Sequence, residues 1–196
     1  MPSVFTHSLL GVAAGKILGL SNPPLRFWVL CVVCPSLPDV DVIGIPFGTT
    51  SDHILGHRGV THSIFFALLT GFFVVMVFYR GSPLFFLRKI NLSLKTTVLL
   101  TIFFAFITAS HGIMDGLTND GAGIAFFWPL ENTRHVFPFR PLETSPIGLA
   151  FFGERGLEAA KSEIALVWVP VLSLVLLRVF FRKRRPGNTS SRDPEL

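Results

Sequence analysis

Five apolar runs, nearly free of charge, constrain this chain more than any other feature. They cover residues 5–20, 25–37, 64–79, 96–114 and 164–181. Half of the 196 residues are hydrophobic, only 15% are charged, and the mean hydropathy is +0.59. A soluble domain is about a quarter charged. A globule of this size has too much surface to bury so many apolar side chains. Lipid as solvent removes the conflict. A spanning helix needs about 20 residues at about 1.5 Å each. The third, fourth and fifth runs approach that length. The second reaches only about 20 Å by the same rise before Pro35, Pro38 and Asp39, and the first is interrupted by Gly11, Gly15 and Lys16. The reading is an all-α, polytopic transmembrane bundle of about five segments. It forms one membrane domain over 1–181, followed by a basic, disordered tail over 182–196. A re-entrant pair is the alternative for the first two runs.

Loop charge sets the orientation. The connection after the third run holds Arg80, Arg88, Lys89 and Lys95 with no acid, and the tail holds Arg182, Lys183, Arg184, Arg185 and Arg192 against Asp193 and Glu195. Basic flanks favour the cytoplasmic side. Alternation then puts the N-terminus, the 38–62 stretch and the 117–163 loop outside, and the C-terminus in the cytoplasm. Lys16 and Arg26 flank the inner turn, in agreement. The 117–163 loop is rich in aromatic residues, including Phe126, Phe127, Trp128, Phe137 and Phe139, which suit the outer interface. The net charge of +5 raises nucleic acid as a partner. The excess sits in membrane flanks rather than on a folded reading surface, so none is expected. The start lacks a basic n-region and an A-x-A site, so it does not read as a cleaved signal peptide. Cys31 and Cys34 share a helix face inside an apolar run. Without a second cysteine pair they read as small apolar side chains rather than zinc ligands.

On this topology the histidines and aspartates converge. His7 opens the first run at its outer end. Asp39 and Asp41 follow the second, His57 and His62 precede the third, and His111 and Asp115 close the fourth. The topology rests on Lys and Arg, so the convergence is independent of it. His111 and Asp115 are one turn apart on one helix face. Asp39 and Asp41 point the same way if Pro-Asp-Val-Asp is extended. Gly59 allows a tight turn between His57 and His62, and Thr61 is placed to cap the helix that follows. Imidazole with carboxylate is the donor mixture for Zn²⁺, Mn²⁺ or Fe. Seven donors exceed one tetrahedral shell, so they suit two ions, or one ion with supporting partners. Ionisable groups this close to lipid are costly and tend to be functional. Asp52-His53 reads as ordinary loop.

These residues carry a resemblance. Thr6-His7-Ser8, Pro38-Asp39-Val40-Asp41, His57-Arg58-Gly59-Val60-Thr61-His62-Ser63 and His111-Gly112-Ile113-Met114-Asp115 are similar to the YdjM-like family. That family is described as LexA-binding and inner membrane-associated, and often as membrane-bound metal-dependent hydrolases. The stretch from Asn119-Asp120-Gly121 through Phe127-Trp128-Pro129-Leu130 to Pro138-Phe139 extends the match to about residue 145. The resemblance implies a metal-dependent hydrolase of the plasma (inner) membrane, phospholipase-like. The repressor link has no counterpart in the residues.

The expected reaction is hydrolysis of an ester or phosphoester in a lipid-like substrate at the outer face. A divalent metal, one ion or two, zinc or manganese, lowers the pKa of bound water toward about 7. The expected ligands are His7, Asp39, Asp41, His57, His62, His111 and Asp115. The expected catalytic residues are Asp41 as ligand or base, Arg58 as a bidentate fork for phosphate, and His135 as proton donor, with Arg134, on the aromatic loop. The alternative is a non-enzymatic metal protein: a divalent-metal carrier, a sensor, or a bundle whose helix ends are stapled by metal. A carrier wants its donors near the midplane on broken helices.

Overall fold

The computed structural model describes residues 1–50, 53–80 and 92–183. Arg88, Lys89, Asp52 and the tail from 184 lie outside them. The described residues form helices with no strand, and three stretches are long and apolar enough to cross a bilayer: Leu25–Phe47, Leu94–Gly116 and Glu154–Arg182. Helix α1 is Val4–Leu18, α2 is Leu25–Val33, α3 is Ile64–Phe78 and α4 is Leu94–Gly116. Helix α5, Glu154–Glu163, passes through a π-helical turn, Ile164–Trp168, into α6, Val169–Lys183. Pro170 lies just past that turn. A proline cannot donate to, and crowds, the carbonyl four residues back, and a π-bulge accommodates this.

The ends of these helices are tied to one another, which fixes the topology. Arg26 at the start of α2 donates to the Phe78 carbonyl at the end of α3, at 3.1 Å. Arg182 near the end of α6 donates to the Gly19 carbonyl after α1, at 3.0 Å. At the other end, Glu163 accepts from the Ser3 backbone N–H (2.7 Å) and from the Ser3 and Thr6 hydroxyls (2.5 Å each). These ties bring the start of α1 to the end of α5, the end of α1 to the end of α6, and the start of α2 to the end of α3.

Two expected boundaries change. The second segment does not stop near residue 37: α2 continues as a 3-10 helix, Cys34–Phe47, so the combined stretch is long enough to span. Pro35, Pro38 and Pro46 have no N–H, so a regular α-helical ladder is not available there. The chain adopts the tighter helix, and Pro-Asp-Val-Asp is helical rather than extended. The 117–163 loop is also shorter than expected, because α5 begins at Glu154. The remaining loop is pinned by isolated bridges, Thr118 with Leu142 and Ile124 with His135.

Lipid does not drive apolar helices together, so close packing must do so. Phe27 of α2 stacks on Phe103 of α4, and Cys31, Val75, Leu100 and Phe104 are fully buried around them. Cys31 and Cys34 are free, buried thiols. Glycines set the closest approaches. Pro35 leaves the Cys31 carbonyl without an α-helical donor, and a Cβ on Gly11 would overlap that oxygen. A Cβ on Gly71 of α3 would overlap the Thr101 carbonyl of α4. Gly71→Ala should therefore lower the thermal stability of the detergent-purified protein by about 1–3 kcal/mol through overpacking. Gly121→Ala, where a Cβ meets nothing within 4 Å, should leave the melting temperature unchanged. Equal melting temperatures for the two variants would remove the α3–α4 contact as the source.

Candidate metal centre

The 3-10 helix after α2, the turn before α3 and the end of α4 bring Asp39, His62, His111 and Asp115 into one group, each with a donor atom within 4.8 Å of the others. The two imidazoles meet Nε2 to Nε2 at 3.0 Å. His111 Nε2 is 3.3 Å from Asp39 Oδ1 and 3.8 Å from Asp115 Oδ2. His62 Nε2 is 3.4 Å from Asp115 Oδ2 and 3.9 Å from Asp39 Oδ1. Ligands about 2.0–2.2 Å from a tetrahedral zinc stand about 3.3–3.6 Å from one another, so these separations are those of a coordination shell.

The other ring nitrogens explain why both Nε2 atoms face inward. His111 Nδ1 donates to the Pro35 carbonyl at 2.7 Å. His62 Nδ1 is 3.2 Å from Asp41 Oδ2. An imidazole that donates from Nδ1 presents a lone pair at Nε2, the arrangement metal-binding histidines adopt. With both rings neutral, two such lone pairs cannot hydrogen-bond to each other, so a proton or a cation must lie between them. Both oxygens of Asp39 and of Asp115, and both nitrogens of His7, are buried without a hydrogen-bond partner. Buried polar atoms are ordinarily satisfied. A cation at their meeting point satisfies the inward-facing oxygens and Nε2 atoms together, so the residues present fit a divalent metal.

Asp41 belongs to a second group, with His57 and His62. Its carboxylate accepts from His57 Nδ1 (2.9 Å), the Thr61 hydroxyl (2.6 Å) and the Arg58 backbone N–H (3.2 Å). Burial pulls the His62 imidazole down, but its contacts with Asp115 and Asp41 outweigh that and raise its pKa to about 9.

A family model described as YdjM inner membrane protein matches residues 1–185. The chain belongs to the YdjM family. It is 30% identical over 186 residues to inner membrane protein YbcI of Escherichia coli (strain K12), covering 94% of this chain and all of the relative. No solved structure matches. Membership makes this an inner membrane protein, in keeping with its apolar helices.

Within this YdjM-family fold the expected residues divide. Asp39, His62, His111 and Asp115 meet directly. His7 stacks on His111 with ring centroids 3.8 Å apart, and its Nε2 lies 3.4 Å from Asp115 Oδ1. His57 and Asp41 meet His62 from its other side. Arg58 is buried, its guanidinium 3.4 Å from both Asp115 and Asp120 and donating to Thr118 at 2.9 Å. The left-handed backbone falls on Arg58 (φ 65°) rather than on Gly59. His135 pairs instead with Glu131 at 2.6 Å, while Arg134 donates to the carbonyls of His57 and His53. Thr61 does not cap α3; Ser63 does, accepting from the Phe66 N–H. Thr118 and Glu163 are not among the residues the sequence singles out, and Asp120 enters there only within the stretch that carries the resemblance. For Glu163 there was a signal, an acid immediately before an apolar run. For Thr118 there was none.

Metal loading requires a neutral His62, and its raised pKa means that the unloaded imidazole is protonated at pH 7. Zinc affinity should therefore rise by up to about tenfold per pH unit from pH 7 towards 9 and then flatten, with proton release on binding. Calorimetric zinc titration in two buffers of different ionisation enthalpy measures this. Binding with no released proton at pH 7 would contradict it.

Proposed function

We propose that this chain is a membrane-bound, metal-dependent hydrolase of an ester or phosphoester in a lipid-like substrate. The observation that carries the reading is the convergence of four donors, two imidazole nitrogens and two otherwise unpartnered carboxylates, at one end of an apolar bundle. The lipid class is supported by a groove of about 540 Å³ beside them. Val4, Val32, Val33, Leu37 and Val40 line it, and Asp39 of the donor group opens onto it. An acyl chain in that groove carries its ester linkage to Asp39.

Asp39, His62, His111 and Asp115 would hold a divalent ion, whose chemistry would be to acidify a bound water and act as a Lewis acid. The protein's own groups do the rest. Asp41 and the Pro35 carbonyl hold the two imidazoles in the tautomer that faces inward. With its oxygens committed to His57, His62, Thr61 and the Arg58 N–H, Asp41 acts as a positioning residue. His57 steadies Asp41. Arg58 offsets the charge of Asp115, and Asp120, 38% exposed, is the partner that a substrate phosphate would exchange. Arg80 and Lys95 at the opposite end support a non-cytoplasmic site.

A second reading has its own support. His7, His111 and Asp115 have no exposed surface, and a closed shell is the mark of a structural metal that staples helix ends. Metal analysis and hydrolysis of phospholipids and lipid phosphates by the detergent-purified protein separate the two. His62→Ala and His111→Ala should lose bound metal and at least about a hundredfold of activity, since each removes a ligand of the activated water. Asp41→Asn should keep the fold and weaken metal binding by about 10–100-fold. Stoichiometric metal with no hydrolysis of any lipid ester in the wild type would leave the staple.

Sidedness has a separate test, because the native cysteines are buried. A cysteine at exposed Leu130 should react with an impermeant maleimide outside intact cells, and one at exposed Leu94 should not. The reverse pattern would turn the bundle over.

A further inference from the structure

At the end of the bundle opposite the donor group, α1 and α6 enclose a groove of about 590 Å³. Ile17, Leu18, Leu174 and Phe181 make its wall apolar, and Arg178 and Arg182 stand in it. The two arginines are one turn apart on α6, and both reach the same point. A Cβ on Gly19 would lie 3.0 Å from Nη1 of Arg182 and 3.1 Å from Nη2 of Arg178. Arg182 donates to the Gly19 carbonyl, which caps the negative end of α1. One arginine suffices for that cap. A second guanidinium brought to the same place adds like-charge repulsion. Lys16, whose ammonium lies 4.7 Å from the Trp28 ring centroid, adds a third cation in the last turn of α1.

We infer that this groove binds one phospholipid with an anionic headgroup, its phosphate bridging Arg178 and Arg182 and an acyl chain lying along Leu174 and Ile17. Guanidinium forks match phosphate oxygens in geometry and charge, and basic residues at a helix end beside an apolar groove are where a headgroup and its tail meet together. The lipid then locks α6, the least buried of the spanning stretches, against α1. The site is separate from the donor group and does not depend on the hydrolase reading.

Native mass spectrometry of the full chain in detergent tests it, with phosphatidylglycerol and phosphatidylcholine of identical acyl chains as probes. The wild type should prefer phosphatidylglycerol, and Arg178→Gln and Arg182→Gln should each reduce that preference by about fivefold. The double lysine variant, which keeps the charge but loses the forks, should keep only part of it. Glycerophosphoglycerol, the headgroup without tails, should not compete. Arg178→Gln alone leaves the Gly19 cap in place, so the test stands even if Arg182→Gln fails to fold. Equal binding of the two lipids by the wild type, an undiminished preference in Arg178→Gln, or full competition by the free headgroup would each overturn the assignment.

Discussion

The contact between His62 and His111 organises the end of the bundle where the four donors meet. Each ring is committed at Nδ1, one to Asp41 and the other to the Pro35 carbonyl. The inward atoms are thereby left as lone pairs facing each other at 3.0 Å. In a medium that supplies no water, such an arrangement persists only with a proton or a cation between the rings. Everything that meets there is placed by this requirement. The end of α4 must come level with the turn before α3, and the 3-10 helix must bring its aspartates to the same height.

The prolines after α2 do more than end a helix. Pro35 cannot donate to Cys31, and its own carbonyl is the acceptor that orients His111. Three residues later Pro38 precedes Asp39. The 3-10 winding, about three residues per turn, separates Asp39 from Asp41 by about two-thirds of a turn. Asp39 therefore approaches the Nε2 atoms of both rings, while Asp41 approaches His62 from the Nδ1 side. An extended segment would have pointed both carboxylates at one spot and left His62 without its orienting partner. The irregular backbone is tolerated at this depth because its polar atoms face protein rather than lipid.

Much of this arrangement is legible in the sequence. The apolar runs indicate the helices, and the basic residues of the 80–95 connection and of the tail, with Lys16 and Arg26 in agreement, indicate which ends meet. His111 and Asp115 at i, i+4 foretold a shared face. What stayed hidden depends on backbone detail that residue types do not encode. The 3-10 continuation could not be told from an extended Pro-Asp-Val-Asp, because prolines are compatible with both. The division of seven donors into two groups through the two faces of His62 needed the ring's orientation. Thr61 passed for a helix cap because hydroxyls before apolar runs usually are caps, and here Ser63 takes that place. His135 reads as a catalytic group because it sits on the aromatic loop; its partner there is Glu131, four residues back in the same loop.

His7 decides how open the centre is. Its Nε2 approaches Asp115 Oδ1, whereas Asp115 Oδ2 is the oxygen that faces His62 and His111. His7 therefore meets Asp115 at its other oxygen and lies outside the group of four donors, and its position depends on α1 being held at its start by Glu163 through Ser3 and Thr6. Four donors remain. They saturate a tetrahedral ion such as zinc, leaving no place for water unless one donor swings away. They leave two places on a six-coordinate ion such as manganese. The half-open member is Asp39, which lies beside the apolar groove. Were zinc the resident ion, the proposed hydrolysis would require Asp39 to yield its place. Were it manganese, the same four side chains would hold the ion and leave room for substrate, and the choice between staple and catalyst would pass from the fold to the metal.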